Sequence, residues 1–291
     1  MSNTTPETIN NAVLLGNFAS GTSEWHEMRA QGIGGSEAGT IMGLNPYESP
    51  YALWAKKTGQ IPIEPVNNWA VRFGQKFEEP ILELLQEEYP SWQIMRVGTY
   101  AHKDRSYFHA NPDAIGTDES GQQFIIEVKT GRSYWDVVPP AYIAQVRYYM
   151  HIFDMPKALI CGVVGMNWVE HWVERDMFEE QVMLQKLDEF WNYCQTETAP
   201  DFDGATSTYE VVRKMHPEIT DDEVEIEGLF YLANAQEKYD SAQAELNKAK
   251  SEVLAMMGQA KHAYMEKDGQ RYYICSRKAR AGGTPYLVVN K

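Results

Sequence analysis

The hydrophobic periodicity of this sequence changes twice along the chain, and this change restricts the fold to a mixed α/β architecture. Residues 69–88 repeat apolar side chains every three or four positions, as an amphipathic helix does. Between residues 94 and 128 the apolar runs shorten to strand length and alternate with Asp, Gly and Asn turns. Residues 139–153 return to the helical period, and two strands and a helix follow before residue 195. The order αα–βββ–α–ββ–α predicts a mixed sheet with helices packed against it.

Composition divides the chain into four parts. Residues 1–20 are expected to form a flexible lead, and residues 21–198 the α/β domain. Residues 199–215, with their Thr, Asp, Gly and Pro content, are expected to be a linker. Residues 216–291 form a C-terminal extension. A chain of 291 residues has room for one ordinary domain with such an addition.

The extension carries a heptad pattern in which apolar residues recur every seven positions and mostly small residues follow three positions later. The two sets are Leu232, Tyr239, Leu246 and Val253, and Ala235, Ala242, Ala249 and Met256. This pattern predicts either a seam for a partner helix or a single amphipathic helix lying on the body of the protein. Two later segments, residues 271–275 and 286–289, could form a closing hairpin.

The net charge of −15 argues against a general nucleic-acid binder, which usually has a broad basic surface. Residues 218–252 alone hold ten acidic residues and three lysines, so about half of the excess is local. The rest of the chain can still line one groove with Lys and Arg.

Cysteine use and hydropathy indicate a cytoplasmic protein without a membrane segment. The three cysteines are far apart and form no CxxC pair, so we expect neither disulfides nor a zinc or iron–sulfur site. The first residues have no signal-peptide pattern. No apolar stretch approaches the roughly 20 residues that span a bilayer.

Three residues in the middle of the chain have the chemistry of metal-dependent phosphodiester hydrolysis. Glu127 and Lys129 lie two apart on a predicted strand and so share a face, while Ile126 and Val128 point into the core. Asp113 lies in a turn shortly before. Two carboxylates suit Mg²⁺, which lowers the pKa of bound water, and the ammonium can orient that water or offset transition-state charge. A Glu-Val-Lys tripeptide alone is equally typical of a solvated face.

Five short motifs follow one another in order between about residues 23 and 195. They are Trp25–Arg29 with GIGGSEAGTIMGLNPY, Leu53-Trp54 to Thr58-Gly59, FGQKFEEP from Phe73, Asn111-Pro-Asp113 with Ile126-Glu127-Val-Lys129, and AYIAQVRYYM from Ala141. This ordered set resembles the lambda exonuclease and YqaJ-like phage recombination exonucleases of the PD-(D/E)xK nuclease superfamily. The resemblance implies a restriction-endonuclease-like core, in which helices flank a central mixed sheet.

The resemblance also implies roles for the central residues. Asp113, Glu127 and the Val128 carbonyl are expected to hold two Mg²⁺ ions, for which Mn²⁺ can substitute, and Lys129 to assist the attacking water. Glu78 matches the family's acidic residue on the preceding helix. The FGxxFE register favours Glu78 over Glu79 as the group that reaches a second metal, directly or through water. A surface helix acid is the alternative reading of Glu78.

Further positions extend the expected site. Gln145 matches the glutamine that orients groups around the metals, or it is a buried amide bonded to backbone. Arg29 and Ser36 match positions associated with a terminal 5′-phosphate, although the Gly-rich segment around Ser36 could simply cap a helix. Oxygen is the preferred ligand of hard metals, so His102 and His109 are left out of the metal site.

Basic and aromatic residues near the expected site are candidates for DNA contact. The basic ones are Arg72, Lys76, Arg132 and Arg147. Tyr134 and Trp135 could stack on an end base, or belong to the core.

The function implied by the resemblance is that of a Mg²⁺-dependent exonuclease acting 5′→3′ on double-stranded DNA ends in phage-type recombination. The expected partners are DNA ends, a single-strand annealing protein and further copies of the chain in a ring, in the cytoplasm of a bacterial host. Two alternatives stay open: a structure-specific or nicking endonuclease with the same metal centre, and a non-catalytic DNA-end or protein-binding module.

Overall fold

The computed structural model describes residues 7–18, 21–63 and 68–290. The chain forms two compact units, Met1–Ile219 and Thr220–Lys291.

The first unit has seven helices within the described ranges. They are α1 Ser23–Ala30, α2 Gly35–Ile41, α3 Pro50–Lys57, α4 Trp69–Glu88, α5 Pro140–Phe153, α6 Met177–Thr196 and α7 Thr206–Met215. The start of α4 follows from Asn68, whose side chain accepts a hydrogen bond from the Val71 N–H and thereby caps the first turn. None of the helices in the described ranges is long and apolar enough to cross a bilayer.

Ten strands of the first unit form two five-stranded sheets. They are β1 Thr8–Ile9, β2 Ala12–Gly16, β3 Ile33–Gly34, β4 Gln93–Met95, β5 Thr99–His102, β6 Phe108–Ala110, β7 Ala114–Thr117, β8 Gln123–Gly131, β9 Lys157–Val164 and β10 Asn167–Glu174. The strand orders are β1-β2-β5-β6-β3 and β10-β9-β8-β7-β4. Neighbours are antiparallel except for β3–β6 and β8–β9, which are parallel. The predicted mixed α/β architecture with helices packed on mixed sheets is confirmed.

Strand β8 lies between two helices, and this arrangement positions its polar side chains. Ile126 and Val128 belong to the hydrophobic cluster that includes Ile81 and Leu85 of α4. Ile125 belongs to the other cluster, which includes several residues of α5. Because side chains alternate along a strand, the odd-numbered Glu127 and Lys129 face α5.

The N-terminal segment is more structured than the sequence suggested. Residues 1–20 were expected to be a flexible lead, but β1 and β2 form a hairpin and β2 pairs with β5. Ile9 and Ala12 are buried there, which provides the apolar contact that orders the segment. Residues 1–6 and 19–20 lie outside the described residues.

The segment expected to be a linker, residues 199–215, contains the helix α7. Val211 is buried against the core, and the Thr208 hydroxyl lies 2.7 Å from that of Ser49 at the start of α3. The Thr- and Gly-rich start of the segment concealed the amphipathic pattern of TSTYEVVRKM.

The second unit contains one helix and a small sheet. They are α8 Phe230–Met257 and the strands β11 His262–Lys267, β12 Gln270–Lys278 and β13 Tyr286–Val289, antiparallel in the order β11-β12-β13. The expected hairpin corresponds to β12 and β13, while β11 is a strand that the sequence had not suggested. All heptad positions lie on α8, which has no buried residue.

Candidate active site

Glu127, Lys129 and Gln145 form a hydrogen-bonded triangle between β8 and α5. The Lys129 ammonium donates to Glu127 Oε1 at 2.6 Å and to Gln145 Oε1 at 3.0 Å. The Gln145 amide donates to the same Glu127 oxygen at 2.6 Å. The Lys129 ammonium also lies 4.7 Å from the centre of the Tyr142 ring. Glu127 is therefore fixed through one oxygen, and its other oxygen, Oε2, is buried with no hydrogen-bond partner among the described residues.

Asp113 reaches this triangle from the turn before β7. Its Oδ2 accepts a hydrogen bond from the Val128 N–H at 2.6 Å. The two carboxylates, which are fourteen positions apart in the sequence, thus meet where β7 and β8 separate.

The Val128 carbonyl faces a residue that cannot donate a hydrogen bond to it. The last paired residues of β7 and β8 are Ala114 and Ile126, and continuing that register places Pro112 opposite Val128. The amide and carbonyl of one strand residue point to the same side, so the Val128 carbonyl faces Pro112. Because proline has no N–H, it cannot bond this carbonyl. The two carboxylates thus have a backbone oxygen beside them.

Burial and neighbouring negative charges raise the pKa of both carboxylates in this site. Burial, together with the nearby Glu127 and Glu78, raises the pKa of Asp113 well above its ordinary value. Burial likewise raises the pKa of Glu127, against the effect of Lys129. Burial works against the charge on Lys129, but the Glu127 and Asp113 carboxylates raise its pKa. A cation placed between the carboxylates would relieve this repulsion.

Glu78 lies at the edge of the same site. It lines a cavity of about 490 Å³ together with Asp113, and its carboxylate pairs with Arg96. Glu79 also pairs with Arg96, at 3.1 Å, but its side chain is 61% exposed and does not line this cavity. The geometry therefore favours Glu78 over Glu79.

Arg29 and Ser36 adjoin one another, and a buried carboxylate holds Arg29 in place. Arg29 Nη2 donates to Glu37 Oε1 at 2.7 Å and lies 3.4 Å from Ser36 Oγ. Glu37 Oε2 pairs with Lys57 at 2.9 Å and accepts from the Gly34 N–H at 2.8 Å. Although burial opposes it, Lys57 and Arg29 lower the pKa of Glu37 to about 2. The Arg29 guanidinium is thus oriented by the Glu37 carboxylate, which stays charged at neutral pH.

One cavity connects the two groups of residues. A space of about 190 Å³ is lined by Arg29 and Ser36 on one side and by Asp113, Glu127 and Gln145 on the other. These five residues lie far apart in the sequence and line the same cavity.

The structure does not bring the remaining basic candidates into that cavity. Arg147 lies two positions after Gln145 on α5, which turns it by roughly 200° around the helix, and it pairs with Glu179 of α6. Arg132 is exposed after β8. Tyr134 is exposed, whereas Trp135 packs against the core.

Two residues of the site received no role from the sequence. Glu37 lies three positions after the N-cap Gly34, where a Glu commonly bonds the cap amide, and this spacing could have identified it. Tyr149 lies one helical turn after Gln145 and accepts a hydrogen bond from it at 3.2 Å. Its hydroxyl donates to the Asn111 carbonyl at 3.3 Å, which ties α5 to the turn before Asp113.

The donor set fits a hard divalent cation. Asp113, Glu127 and the Val128 carbonyl supply oxygens alone, and Glu127 Oε2 is buried without a partner. Within the described ranges, no group of three or more His, Cys, Asp or Glu side chains is placed to hold a metal ion. A metal ion held by these two carboxylates would take its other ligands from the backbone carbonyl and water.

Comparison with known proteins finds chains that are similar in sequence and in fold. The family model of the YqaJ-like viral recombinase domain matches residues 24–156. The protein YqaJ of Bacillus subtilis is 27% identical over 279 residues, which cover 92% of this chain and 85% of YqaJ. Protein D345L of African swine fever virus, isolate Tick/Malawi/Lil 20-1/1983, is 33% identical over 213 residues, 60% of each chain.

A solved structure with a similar fold is the alkaline exonuclease LHK-Exo of Laribacter hongkongensis. It superposes with a TM-score of 0.50 and 19% identity, covering 60% of this chain and 94% of LHK-Exo. LHK-Exo in complex with dAMP gives a TM-score of 0.51 at 18% identity. Residues 24–156 are therefore similar to the YqaJ-like viral recombinase domain, and the chain shares its fold with LHK-Exo over 60% of its length.

Proposed function

We propose that this chain is a Mg²⁺-dependent exonuclease that hydrolyses phosphodiesters from double-stranded DNA ends in the 5′→3′ direction, during phage-type recombination in a bacterial cytoplasm. The observation that carries the proposal is the cavity shared by Arg29 and Ser36 with Asp113, Glu127 and Gln145. In this cavity the Arg29 guanidinium lies beside the carboxylates of Asp113 and Glu127, and Glu127 Oε2 is buried without a hydrogen-bond partner among the described residues. A terminal phosphate and the neighbouring scissile phosphate need such a pair of adjoining sites.

The carboxylates, the Val128 carbonyl and, at the edge, Glu78 would hold Mg²⁺. When bound, Mg²⁺ polarises the phosphate and lowers the pKa of a coordinated water. Lys129 keeps its proton beside Glu127 and is placed to orient the attacking water and to offset charge on the phosphate. Gln145 holds both residues in place and, through Tyr149, holds α5 against the Asn111 turn.

Arg29 would bind the terminal 5′-phosphate and thereby select the end that is cleaved. Its guanidinium is oriented by Glu37 and packs over the Trp25 ring at 4.7 Å. A guanidinium with a hydroxyl beside it suits the oxygens of a phosphate monoester. A DNA strand without a 5′-phosphate would lack this contact with Arg29, so recognition of the phosphorylated end supports cleavage in the 5′→3′ direction.

The proposed partners are further copies of the chain and a single-strand annealing protein. The solvent-exposed heptad positions of α8 support self-association or such a partner, because Leu232 and Tyr239 are more than 60% exposed. A ring around DNA would explain processive digestion.

The test uses linear duplexes with one strand labelled at either end, the 5′ or the 3′, with and without a 5′-phosphate, incubated in Mg²⁺ or in EDTA. We expect Mg²⁺-dependent release of nucleotides from the 5′-phosphorylated strand and no attack on a covalently closed circle. Asp113→Asn should abolish cleavage, whereas Asp104→Asn, an exposed loop substitution, should not. Rapid cleavage of the closed circle would instead indicate an endonuclease.

Metal binding can be measured independently of cleavage. Mg²⁺ or Mn²⁺ should raise the melting temperature of the wild-type chain, because the cation relieves the repulsion between Asp113 and Glu127. Asp113→Asn should remove this rise. If the metals stabilise both proteins equally, the proposed metal site is wrong.

A further inference from the structure

The last part of the chain has the opposite charge to the whole. Residues 261–291 contain seven Lys and Arg against two Asp and Glu, in a chain whose net charge is −15. Their positive charge is concentrated in the small sheet β11-β12-β13 and the loop before β13. A local basic surface on an acidic protein attracts polyanions.

The strand register collects aromatic and basic side chains on one face of this sheet. Tyr264 pairs with Tyr273, His262 with Ser276, and Lys278 with Tyr286, so each pair shares a face. Three of these rings contact one another, since the ring centres of His262 and Tyr264 lie 5.7 and 6.0 Å from that of Tyr273. We call this the tyrosine face; its aromatic and basic members are His262, Tyr264, Arg271, Tyr273, Lys278 and Tyr286. The same register places one acidic residue, Glu266, on this face opposite Arg271.

The tyrosine face is open, whereas the opposite face is partly covered. Tyr264, Tyr273 and Tyr286 are 46%, 54% and 46% exposed. On the opposite face Cys275 is buried, with its Sγ 3.9 Å from Met257 Sδ at the end of α8. The sheet therefore packs on its own helix with one face and presents the tyrosines with the other.

Arg271 adds a cation within reach of the exposed rings. Its guanidinium lies 4.5 Å from the centre of the Tyr264 ring, which holds the charge close to an aromatic surface. Flat rings with cations beside them can stack bases and neutralise phosphates at once. Bases of a duplex are stacked on one another and cannot use such rings, so the chemistry selects an unpaired strand.

We propose that the tyrosine face binds single-stranded DNA, with bases stacked on Tyr264, Tyr273 and Tyr286 and phosphates near Arg271 and Lys278. This is a second nucleic-acid site, in a different unit from the cavity of Asp113 and Glu127. Digestion of one strand of a duplex leaves the other strand unpaired, so the source of this ligand rests on the proposed function. The binding itself requires no cleavage.

Binding is tested with the full chain in EDTA, using a fluorescent oligothymidine of about 16 nucleotides and anisotropy. Tyr273→Ala should weaken binding about tenfold, as expected for loss of one stacked base. Tyr272→Ala is the matched control, because Tyr272 is the adjacent residue, is 47% exposed and lies on the opposite face. Equal effects of the two variants would overturn the proposal.

Two further measurements locate the site and identify its ligand. An iododeoxyuridine oligonucleotide crosslinked by light should attach to tyrosines of the tyrosine face; attachment only within residues 24–156 would overturn the proposal. Arg271→Ala should make the salt dependence of binding shallower by about 0.7 in log–log slope. Displacement by polyglutamate as effective as that by unlabelled oligothymidine would show a general polyanion surface and contradict base stacking. Because no step needs hydrolysis, an inactive but binding protein would refute the proposed function alone.

Discussion

Lys129 is the residue whose surroundings most restrict what the site can do. Its ammonium is held by Glu127 and Gln145 and lies against the Tyr142 ring, so it has little freedom to move. Burial works against its charge, yet the two carboxylates raise its pKa, and it stays protonated at neutral pH. A fixed cation beside a scissile phosphate stabilises the charge that develops in the transition state.

Lys129→Met should therefore reduce the rate of Mg²⁺-dependent DNA cleavage by about 10²–10³-fold, the range seen when one such donor is removed. Methionine keeps most of the side-chain volume, so the fold should persist. Lys103→Met is the control, since Lys103 is exposed and its ammonium donates to the Asn11 side chain. A cleavage rate within twofold of wild type for Lys129→Met would contradict the assigned role.

Glu37 predicts an acid-dependent loss of stability. Its pKa falls from 4.5 to about 2, because Lys57 and Arg29 outweigh burial. Folding therefore favours the ionised form of Glu37. The contribution of this carboxylate to the unfolding free energy is complete above pH 4.5 and is lost as the pH falls towards 2. A pKa shift of this size corresponds to a contribution of at most about 3 kcal/mol to the unfolding free energy. Glu37→Gln should flatten the dependence of unfolding free energy on pH in that window, measured by urea unfolding.

The exposed Glu83→Gln on α4 serves as the control for this experiment and should keep the wild-type pH dependence. Glu180, whose pKa Arg175 and His151 also lower to about 2 against burial, stays in both variants and supplies a common background. If Glu37→Gln and Glu83→Gln have the same profile, Glu37 does not hold Arg29 through its charge.

At this scale the sequence could place some residues and not others. Asp113, Glu127 and Gln145, which the ordered motifs group together, line one cavity. Arg147 was chosen by residue type and proximity in the sequence, and neither shows that it turns to α6 and pairs with Glu179. Tyr149 was overlooked because a tyrosine on an apolar helix is indistinguishable from ordinary core.

Among the elements, the close approach of α2 and α5 determines how Gln145 is held. Gly35 at the start of α2 lies under the Tyr149 ring, and a Cβ there would come within 2.2 Å of that ring. The two helices can pack this closely only because Gly35 has no side chain. Tyr149 in turn bonds Gln145 and the turn before Asp113.

Gly35→Ala should displace the Tyr149 ring and with it the hydrogen bond to Gln145. We expect a loss of about 1–3 kcal/mol in unfolding free energy, as for overpacked cores, together with a lower cleavage rate. Gly204→Ala, where a Cβ meets nothing within 4 Å, is the control for the substitution itself. Unchanged stability and activity in Gly35→Ala would show that α2 and α5 can separate without consequence.

Long amphipathic elements were predictable, and short strands were not. The bounds of α4 agree with the predicted residues 69–88, because five turns of one period leave little ambiguity. Strand β7, with the sequence AIGT, was overlooked because a glycine next to a Pro-Asp turn suggests a loop. A Cβ at position 116 would lie 2.3 Å from the Phe124 ring on β8, so the strand needs a glycine here. This packing constraint comes from the tertiary structure and cannot be read from the local sequence.

On the scale of the whole molecule, the boundary between the units lies later than composition suggested. A linker at residues 199–215 would make the first unit end before α7, yet α7 contributes Val211 to the core of that unit. The Ser49 hydroxyl at the N-cap of α3 also contacts Thr208, and the Ser49 N–H donates to Ser207. The first unit therefore needs residues up to about Ile219.

Two truncations should consequently behave differently. A chain ending at Ile219 keeps α7 and should retain the unfolding free energy of the first unit and its Mg²⁺-dependent cleavage of short duplexes. A chain ending at Gly204 loses the burial of Val211 and the Ser49–Thr208 hydrogen bond, which together contribute about 3 kcal/mol. Chemical unfolding of both proteins measures the difference. Equal stability would mean that α7 is dispensable to the first unit.

The same truncations test whether α8 mediates self-association. If the number of copies in the assembly, measured from its mass in solution, is the same for the truncated and the full-length chain, self-association through α8 is excluded.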